Sequence, residues 1–318
     1  MTSQGPFPYY PQALLIALLV PVTFIAACGG SSSISSKSPA SPAPPAPAGM
    51  PTSQHVVLVI EENQSYSSVV ANSAWPHLNA LIKAGASATN YFADAHPSIP
   101  NYFMLTTGQT LTLDDSSTKV WNVDNIARHM LASKVSFKVY AEGIKQGYLG
   151  GNTGLYVIRH NPFALLSDVA SNQQVANQVI QPFTQFTADV NNKALPAFSF
   201  VVPDINDDAH SGTPQAADNW LQSNIIGPLA ANPAFQSGGD GLLIVVFDES
   251  IDTDLANGGG HVACVLWGPI VKTGYAQSSK SIYLHQNLLR TVMEVLSLSN
   301  PPAAAGTTSD MSEFFNLK

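Results

Sequence analysis

The stretch His55-Val-Val-Leu-Val-Ile-Glu-Glu-Asn63 decides the fold class of this chain. Its five consecutive apolar residues, four of them β-branched, are typical of a strand that is buried on both faces, as in a parallel sheet. The runs Phe198-Ser-Phe-Val-Val202 and Leu242-Leu-Ile-Val-Val-Phe247 indicate two further strands. Because helical patterns separate these runs, the sequence predicts an α/β fold with a mostly parallel central sheet flanked by helices.

The remaining elements follow from apolar periodicity and from the residues that start and stop helices. The sequence predicts helices over 76–84, 123–133, 168–180, 216–231 and 283–298, and strands over 137–140 and 262–267. It also predicts a short helix that starts at Pro100, because proline suits a first helical turn, and ends at Gly108. Ser98 would then lie at a helix N-terminus, either as the cap or beside a bound anion.

The first 53 residues indicate targeting and tethering segments. An apolar run over 13–27 has the length of a signal-peptide core, and Ile25-Ala-Ala-Cys-Gly29 resembles the bacterial lipobox. That resemblance implies a lipoprotein signal peptide over 1–28 and a lipid anchor at Cys28; the alternative is a plain secretory signal. Residues 29–53 are rich in Ser, Pro and Ala and predict a linker, which leaves 54–318 as the working domain. We therefore expect the protein in the cell envelope, anchored to the membrane, or secreted.

The charge of the chain excludes one class of partner. Its 318 residues include 13 Lys and Arg against 21 Asp and Glu, for a formal net charge of -8, and no basic run occurs. Nucleic acids are bound by basic surfaces, so we expect no nucleic-acid partner. The second cysteine, Cys264, lies in an apolar run and is predicted to be an inert buried thiol.

Acidic residues follow the predicted strands. Glu61-Glu62-Asn63 comes after the first strand, Asp204 follows the strand at 198–202, and Asp248-Glu249 follows the strand at 242–247. In open α/β sheets the carboxyl ends of the strands form the ligand-binding edge, so these carboxylates are expected to meet there. Clustered carboxylates call for a cation: oxygen ligands suit Mg²⁺, Ca²⁺ or Mn²⁺, and added histidine would admit Zn²⁺ or Fe.

A hydroxyl group stands between two prolines in Ala95-His-Pro-Ser-Ile-Pro-Asn-Tyr102. Pro97 and Pro100 fix the backbone on either side of Ser98, which makes this serine a candidate nucleophile. Several histidines lie in polar or glycine-rich loops, where imidazole is available for acid–base or ligand chemistry. These candidates are His96, His160, His210 and His261.

Together these segments resemble a bacterial phosphoesterase family that contains acid phosphatases and phosphatidylcholine-type phospholipases C. The resemblance rests on four blocks in order, from His55 to about Leu298. The blocks are 55–63, 96–102, Pro203-Asp-Ile-Asn-Asp-Asp-Ala-His210, and Val246-Phe-Asp-Glu249 followed by Gly260-His-Val262. The resemblance implies an alkaline-phosphatase-like fold, a divalent metal ion of open identity and a phosphorylated hydroxyl intermediate.

The resemblance also implies roles for single residues. Ser98 matches the nucleophile, and Asn101 matches the group that binds a phosphoryl oxygen. The implied metal ligands are Glu62, Asn63, Asp248 and Glu249. The implied catalytic histidines are His160, His210 and His261, and the implied substrate-binding residues are His96, Asp204 and Asp208.

We therefore expect a metal-dependent phosphoesterase, namely an acid phosphatase that hydrolyses phosphomonoesters through phosphoserine. The alternatives are a phospholipase C-type phosphodiesterase and a non-catalytic surface lipoprotein that binds phosphate or partners. The expected partners are a small phosphorylated substrate and the membrane, reached through the anchor at Cys28. The sequence leaves the metal, the substrate and the oligomeric state open.

Overall fold

The predicted α/β class is confirmed by a computed structural model, which describes residues 49–317. The predicted signal peptide, the anchor at Cys28 and most of the predicted linker lie outside the described residues. One sheet has the strand order β4-β3-β5-β1-β6-β7-β2-β8. The strands are β1 Val56–Glu61, β2 Ala86–Ala88, β3 Phe137–Ala141, β4 Ile180–Pro182, β5 Phe198–Val202, β6 Leu242–Phe247, β7 Cys264–Trp267 and β8 Tyr275–Ala276. Pairing is parallel except that β7 runs antiparallel to both β6 and β2.

Helices connect and cover these strands. They are α1 Tyr66–Val69, α2 Pro76–Ala84, α3 Ser98–Thr107, α4 Ile126–Ser133, α5 Ser167–Ala170, α6 Gln173–Val179, α7 Phe183–Asn191, α8 Pro214–Leu221, α9 Gly227–Ala231 and α10 His285–Val295. Short 3₁₀ turns at Ile158–His160 and Pro162–Leu165 pack beside α3. In the range 49–317, the helices lack the combination of length and apolar character that crossing a membrane requires.

Two of the predicted long helices are wrong. The helix predicted over 168–180 is α5 and α6 followed by β4, because the first helix ends at its C-cap Ser171 and the second starts at its N-cap Asn172. Its side chain accepts hydrogen bonds from the N–H groups of Gln174 and Val175, which is N-cap geometry. The helix predicted over 216–231 is α8 and α9 joined by a π-helical segment, Gln222–Ile226.

The centre of the fold is β1, which lies between β5 and β6. All six of its residues are buried, as the continuous apolar run predicts. Burial of one Val, Leu or Ile side chain contributes about 1.5–3 kcal/mol, so β1 is a rigid support for whatever follows it. Cys264, on β7, is free and buried, as predicted.

The helix predicted to start at Pro100 starts two residues earlier. α3 begins at Ser98, its N-cap residue is Pro97, and Gly108 ends it in the left-handed region with φ 67°. All ten residues of α3 are buried between α10 and the 3₁₀ turns. This burial fixes Ser98 at the carboxyl edge of the sheet.

Candidate active site

The strand register brings the acidic ends of β1 and β6 side by side. Glu61 pairs with Phe247, and the Asp248 N–H donates to the Glu61 carbonyl at 3.0 Å. Glu62 and Asp248 therefore leave the sheet at the same level, and Glu249 follows. One ligand atom from each of Glu62, Asp248 and Glu249 lies within 4.8 Å of the others, and we call these three residues the acidic cluster.

Ser98 lies beside two members of the acidic cluster. Its hydroxyl is 3.0 Å from Glu62 Oε2 and 3.0 Å from Glu249 Oε1, and only 1% of the residue is exposed. A hydroxyl has one proton to donate, so the two acceptors share it and fix the oxygen between them. The side chain makes no capping hydrogen bond to α3, so Ser98 is not the helix cap.

Tyr102 and His160 form the buried wall on the other side of Glu62. Tyr102 lies one helical turn after Ser98 and donates its hydroxyl to Glu62 Oε1 at 2.6 Å. Its ring stacks on His160, with the centroids 4.9 Å apart and the planes 4° apart. One carboxylate oxygen of Glu62 thus faces Ser98, and the other faces Tyr102.

Glu62, His160 and Asp208 form a second group of potential ligands that shares Glu62 with the first. His160 Nε2 lies 3.1 Å from Glu62 Oε1, and Nδ1 lies 3.2 Å from Asp208 Oδ2, without hydrogen-bond alignment in either contact. Burial lowers the pKa of His160 to about 4, so its ring is neutral at pH 7. Burial raises the pKa of Glu62 to about 7 and that of Asp208 to about 8.

His96 holds Glu249 in place. Its Nδ1 bonds Glu249 Oε2, and its Nε2 lies 2.9 Å from the Asp254 carbonyl oxygen. A carbonyl oxygen can only accept a hydrogen bond, so His96 Nε2 carries a proton. A second proton lies between His96 Nδ1 and Glu249 Oε2. The loop that carries Asp254 packs closely on 93–95, where a Cβ on Gly259 would come within 2.5 Å of the Ala95 carbonyl oxygen. The glycines before His261 therefore allow a close backbone approach.

Asn101 is fully engaged with the backbone that precedes Ser98. Its Oδ1 accepts from the N–H groups of Asp94 and Ala95, both at 3.1 Å. Its Nδ2 donates to the carbonyls of Ala95 and Pro97 at 2.8 and 3.3 Å. The amide thus shapes the loop that presents the hydroxyl, and its contact with a phosphoryl oxygen stays a prediction.

His210 lies half-buried at the rim of the site. Its backbone N–H donates to Asp208 Oδ1 at 2.8 Å, and its ring Nε2 lies 3.1 Å from Arg159 Nη2. Because a guanidinium can only donate, Nε2 is the acceptor and carries no proton. Burial, followed by the Arg159 charge, lowers the pKa of His210. Arg159 Nε also faces Asp115, at 3.5 Å from Oδ2.

Two predicted site residues lie away from the acidic cluster. The ring of His261 stacks on two aromatic rings, and its Nε2 lies 3.2 Å from the Thr89 carbonyl oxygen. Within residues 49–317 His261 makes no hydrogen bond or ion pair with the cluster. Asp204 belongs to a separate acidic group with Glu142 and Asp207. The predicted roles of these two residues stay untested.

The structure brings to the site two residues that are not among the predicted site residues. Tyr102 is one, and its spacing of four from Ser98 could have placed it on the same face of a helix. His285 is the other: its Nε2 lies 2.6 Å from the Asp248 carbonyl and its Nδ1 lies 3.0 Å from the Tyr91 hydroxyl. His285 thereby supports the backbone of the acidic cluster from α10.

Comparison with known proteins identifies relatives along most of the chain. The model of the Phosphoesterase family matches residues 68–299. A phosphatidylinositol-3-phosphatase of Mycobacterium tuberculosis is 30% identical over 254 residues, which cover 79% of this chain and 79% of that protein. An acid phosphatase of Aspergillus fumigatus is 28% identical over 241 residues, or 73% of this chain and 52% of that protein. The chain thus spans about half the length of this fungal relative.

Solved structures share the fold at low sequence identity. A protein of the alkaline phosphatase superfamily from Vibrio parahaemolyticus is similar with a TM-score of 0.53 and 13% identity, over 84% of this chain and 72% of that one. The lipoteichoic acid synthase LtaP of Listeria monocytogenes is similar with a TM-score of 0.54 and 9% identity, over 82% of this chain and 78% of that one. These similarities confirm the alkaline-phosphatase-like fold.

Proposed function

The chain belongs to the Phosphoesterase family and is a phosphoric ester hydrolase, and we propose that it is a metal-dependent acid phosphatase that forms a phosphoserine at Ser98. One observation carries this proposal. The Ser98 hydroxyl is held at 3.0 Å from two carboxylates, at the first residue of a buried helix. A nucleophile beside groups that can accept its proton, and beside a helix N-terminus that favours an anion, is suited to attack on phosphorus.

The acidic cluster fits a divalent cation. Asp248 Oδ2 is buried without a hydrogen-bond partner, and burial together with Glu62 and Glu249 raises the pKa of Asp248. These three carboxylates, with Asn63 beside them, would hold the ion. Oxygen ligands favour Mg²⁺, Ca²⁺ or Mn²⁺, whereas the neutral ring of His160 would admit Zn²⁺ or Fe. A bound ion would neutralise the carboxylates and stabilise negative charge on the phosphoryl oxygens.

The chain's own residues supply the first step. The Ser98 oxygen attacks phosphorus, and the bond from phosphorus to the leaving oxygen breaks. The proton of the hydroxyl passes to Glu62 or Glu249, to which it already donates. The N-terminal turn of α3 favours the negative charge that gathers beside it.

His210 is suited to protonate the leaving alcohol. It lies at the rim beside Asp208, and its pKa is lowered by burial and by Arg159. A general acid must carry a proton, so this residue would act in the acid range. Water then hydrolyses the phosphoserine, with the unprotonated ring of His210 as the base.

Turnover measurements test the proposal. An aryl phosphate, an aryl phosphodiester and phosphatidylcholine are offered to the full chain at several pH values. Each is repeated after chelation and after add-back of single divalent ions. We expect the protein to hydrolyse the monoester. This activity should be lost on chelation and recovered when one or two of the divalent ions are added back. Silence on all three substrates would favour the non-catalytic alternative.

A second candidate substrate is a phosphorylated lipid headgroup. Three exposed apolar side chains lie on loops that reach the site: Leu113 near Asp115, and Ile251 and Leu255 on either side of Asp254. Such a rim suits an amphiphilic substrate. The relative from Mycobacterium tuberculosis carries a lipid-phosphatase name, which supports the same idea. Comparing the hydrolysis of vesicle-bound phosphatidylinositol 3-phosphate with that of an aryl phosphate would decide between lipid and soluble monoesters. The measurement with phosphatidylcholine tests the phospholipase C alternative.

We also propose the cell envelope as the place of action, on the strength of the lipobox-like Ile25-Ala-Ala-Cys-Gly29. Metabolic labelling with a radioactive fatty acid tests it. Label on the wild-type chain and its loss in Cys28→Ala are expected, and an unlabelled wild-type chain would favour a plain secretory signal.

A further inference from the structure

An acidic side chain from a neighbouring loop reaches the N-terminus of α3. Asp115 lies in the segment 109–120, which contains no helix or strand, and its carboxylate is about two-thirds buried, with 33% exposed. Its Oδ1 accepts the N–H of Ile99 at 3.0 Å. Its Oδ2 faces Arg159 Nε at 3.5 Å. A negative group of this chain thus rests directly beside the candidate nucleophile.

The two partners of Asp115 are donors that a phosphoryl group attached to Ser98 would need. Ile99 is the residue after Ser98, so its N–H is next to the oxygen that attacks phosphorus. Pro100 has no N–H, which makes the Ile99 group the more valuable donor in this turn. Arg159 offers a planar charged fork that matches phosphate oxygens, and its buried Nε has no hydrogen-bond partner.

Resting on the proposed function, we propose that Ile99 N–H and Arg159 form the subsite for the substrate phosphoryl group, and that Asp115 is an internal competitor for it. The carboxylate stands where phosphate oxygens bind, and the substrate displaces it. After hydrolysis its return favours release of inorganic phosphate. Asp115 therefore weakens the binding of substrate and product alike.

A purely structural role explains the arrangement less well. Pro97, the N-cap residue of α3, has no side-chain acceptor, so Asp115 also satisfies the Ile99 N–H of the first helical turn, but this role accounts for only one of its two contacts. A carboxylate that served only the helix would have no need of Arg159. That guanidinium also lies 3.1 Å from His210, so it belongs to the rim of the site.

The test compares Asp115→Ala with Asp114→Asn in the full chain. Asp114 is the neighbouring acid, and its side chain bonds only Ser116, so the control removes the same charge from the same loop. Calorimetry measures the Kd of inorganic phosphate, and aryl phosphate turnover gives KM and kcat. We expect Asp115→Ala to lower both the phosphate Kd and KM by about three- to tenfold, with no increase in kcat, since the effect is on binding. Asp114→Asn should change neither by more than about twofold, because exposed charges are screened.

Two further variants make the test independent of one substitution. Asp115→Asn keeps the size of the side chain and should also tighten phosphate binding, by less than Asp115→Ala. In an Arg159→Gln background, Asp115→Ala should increase the affinity for phosphate by less, because one of the two donors that Asp115 occupies is gone. An equal gain in both backgrounds would refute the two-donor subsite.

An unchanged or higher phosphate Kd in Asp115→Ala, or no binding by either protein, would overturn the inference. This failure is distinct from failure of the proposed function. If the wild-type chain hydrolyses monoesters but Asp115→Ala binds phosphate no more tightly, only the role of Asp115 is lost. If the wild-type chain hydrolyses no ester, the proposed function fails, and the phosphate Kd values still decide the role of Asp115.

Discussion

Removal of the Tyr102 hydroxyl should impair both stability and catalysis. In Tyr102→Phe the ring remains stacked on His160, while Glu62 Oε1 loses a hydrogen bond of 2.6 Å. Both residues are buried, so no bulk water replaces the donor. Loss of a hydrogen bond to a charged group costs about 1.5–3 kcal/mol, which corresponds to a Tm lower by about 3–8 °C.

The same hydroxyl lowers the pKa of Glu62, against burial, which raises it. In Tyr102→Phe the ionised form of Glu62 should therefore require a higher pH. We expect kcat/KM to fall about 10- to 100-fold and the acid limb of its pH profile to move to higher pH. A fold defect alone would lower activity without moving the limb.

Tyr140→Phe is the matched control. The Tyr140 hydroxyl also donates to a buried carboxylate at 2.6 Å, that of Asp189, which belongs to neither group of potential ligands. Tyr140→Phe should lower Tm by a similar amount and leave the pH profile of kcat/KM unchanged. Activity of Tyr102→Phe within about twofold of Tyr140→Phe, with the same pH profile, would refute the positioning of Glu62 by Tyr102.

Three further predictions concern stability, measured by urea unfolding. Asn101→Ala should cost about 2–4 kcal/mol, because four hydrogen bonds to the backbone are lost; a cost under about 0.5 kcal/mol would contradict this. Burial raises the pKa of Asp94 from 3.8 to about 7, so folding favours its protonated form and stability falls as the pH rises between those values. Asp94→Asn should flatten this dependence by up to about 4 kcal/mol, and an unchanged slope would refute it. Chelation should destabilise the protein more at pH 8 than at pH 6, because Glu62 and Asp208, with pKa values of about 7 and 8, are ionised to a greater extent at the higher pH and would bind a cation more tightly there; equal losses would argue against a bound cation.

The parts of the site that follow from strand register were accessible from the sequence. Continuous apolar runs predict β1 and β6 as buried strands, and acids that directly follow two such strands must meet when the strands pair. The bounds of β6 and α2 agree with the prediction to the residue. What the sequence could not supply is the boundary inside 168–180, because a capping asparagine within a polar stretch leaves the apolar periodicity intact.

The residues that act through tertiary contacts were harder to predict. Tyr102 lies in the apolar pattern of a buried helix, and its spacing of four from Ser98 indicates a shared helix face but not the contact with Glu62. Asp115 follows another acid and precedes two serines, which is the composition of an ordinary solvated turn. Their contacts with Glu62 and Arg159 span 40 and 44 residues respectively and depend on how the loops fold back over the sheet edge.

The central claim is that Ser98 attacks phosphorus and carries the phosphoryl group. Acid quenching during turnover of an aryl phosphate, followed by peptide mass spectrometry, tests it most directly. We predict one added phosphoryl group on the peptide that contains Ser98, no such adduct in Ser98→Ala, and loss of turnover in that variant without loss of fold. Near wild-type turnover by Ser98→Ala, or a phosphoryl group on a histidine instead, would contradict the claim.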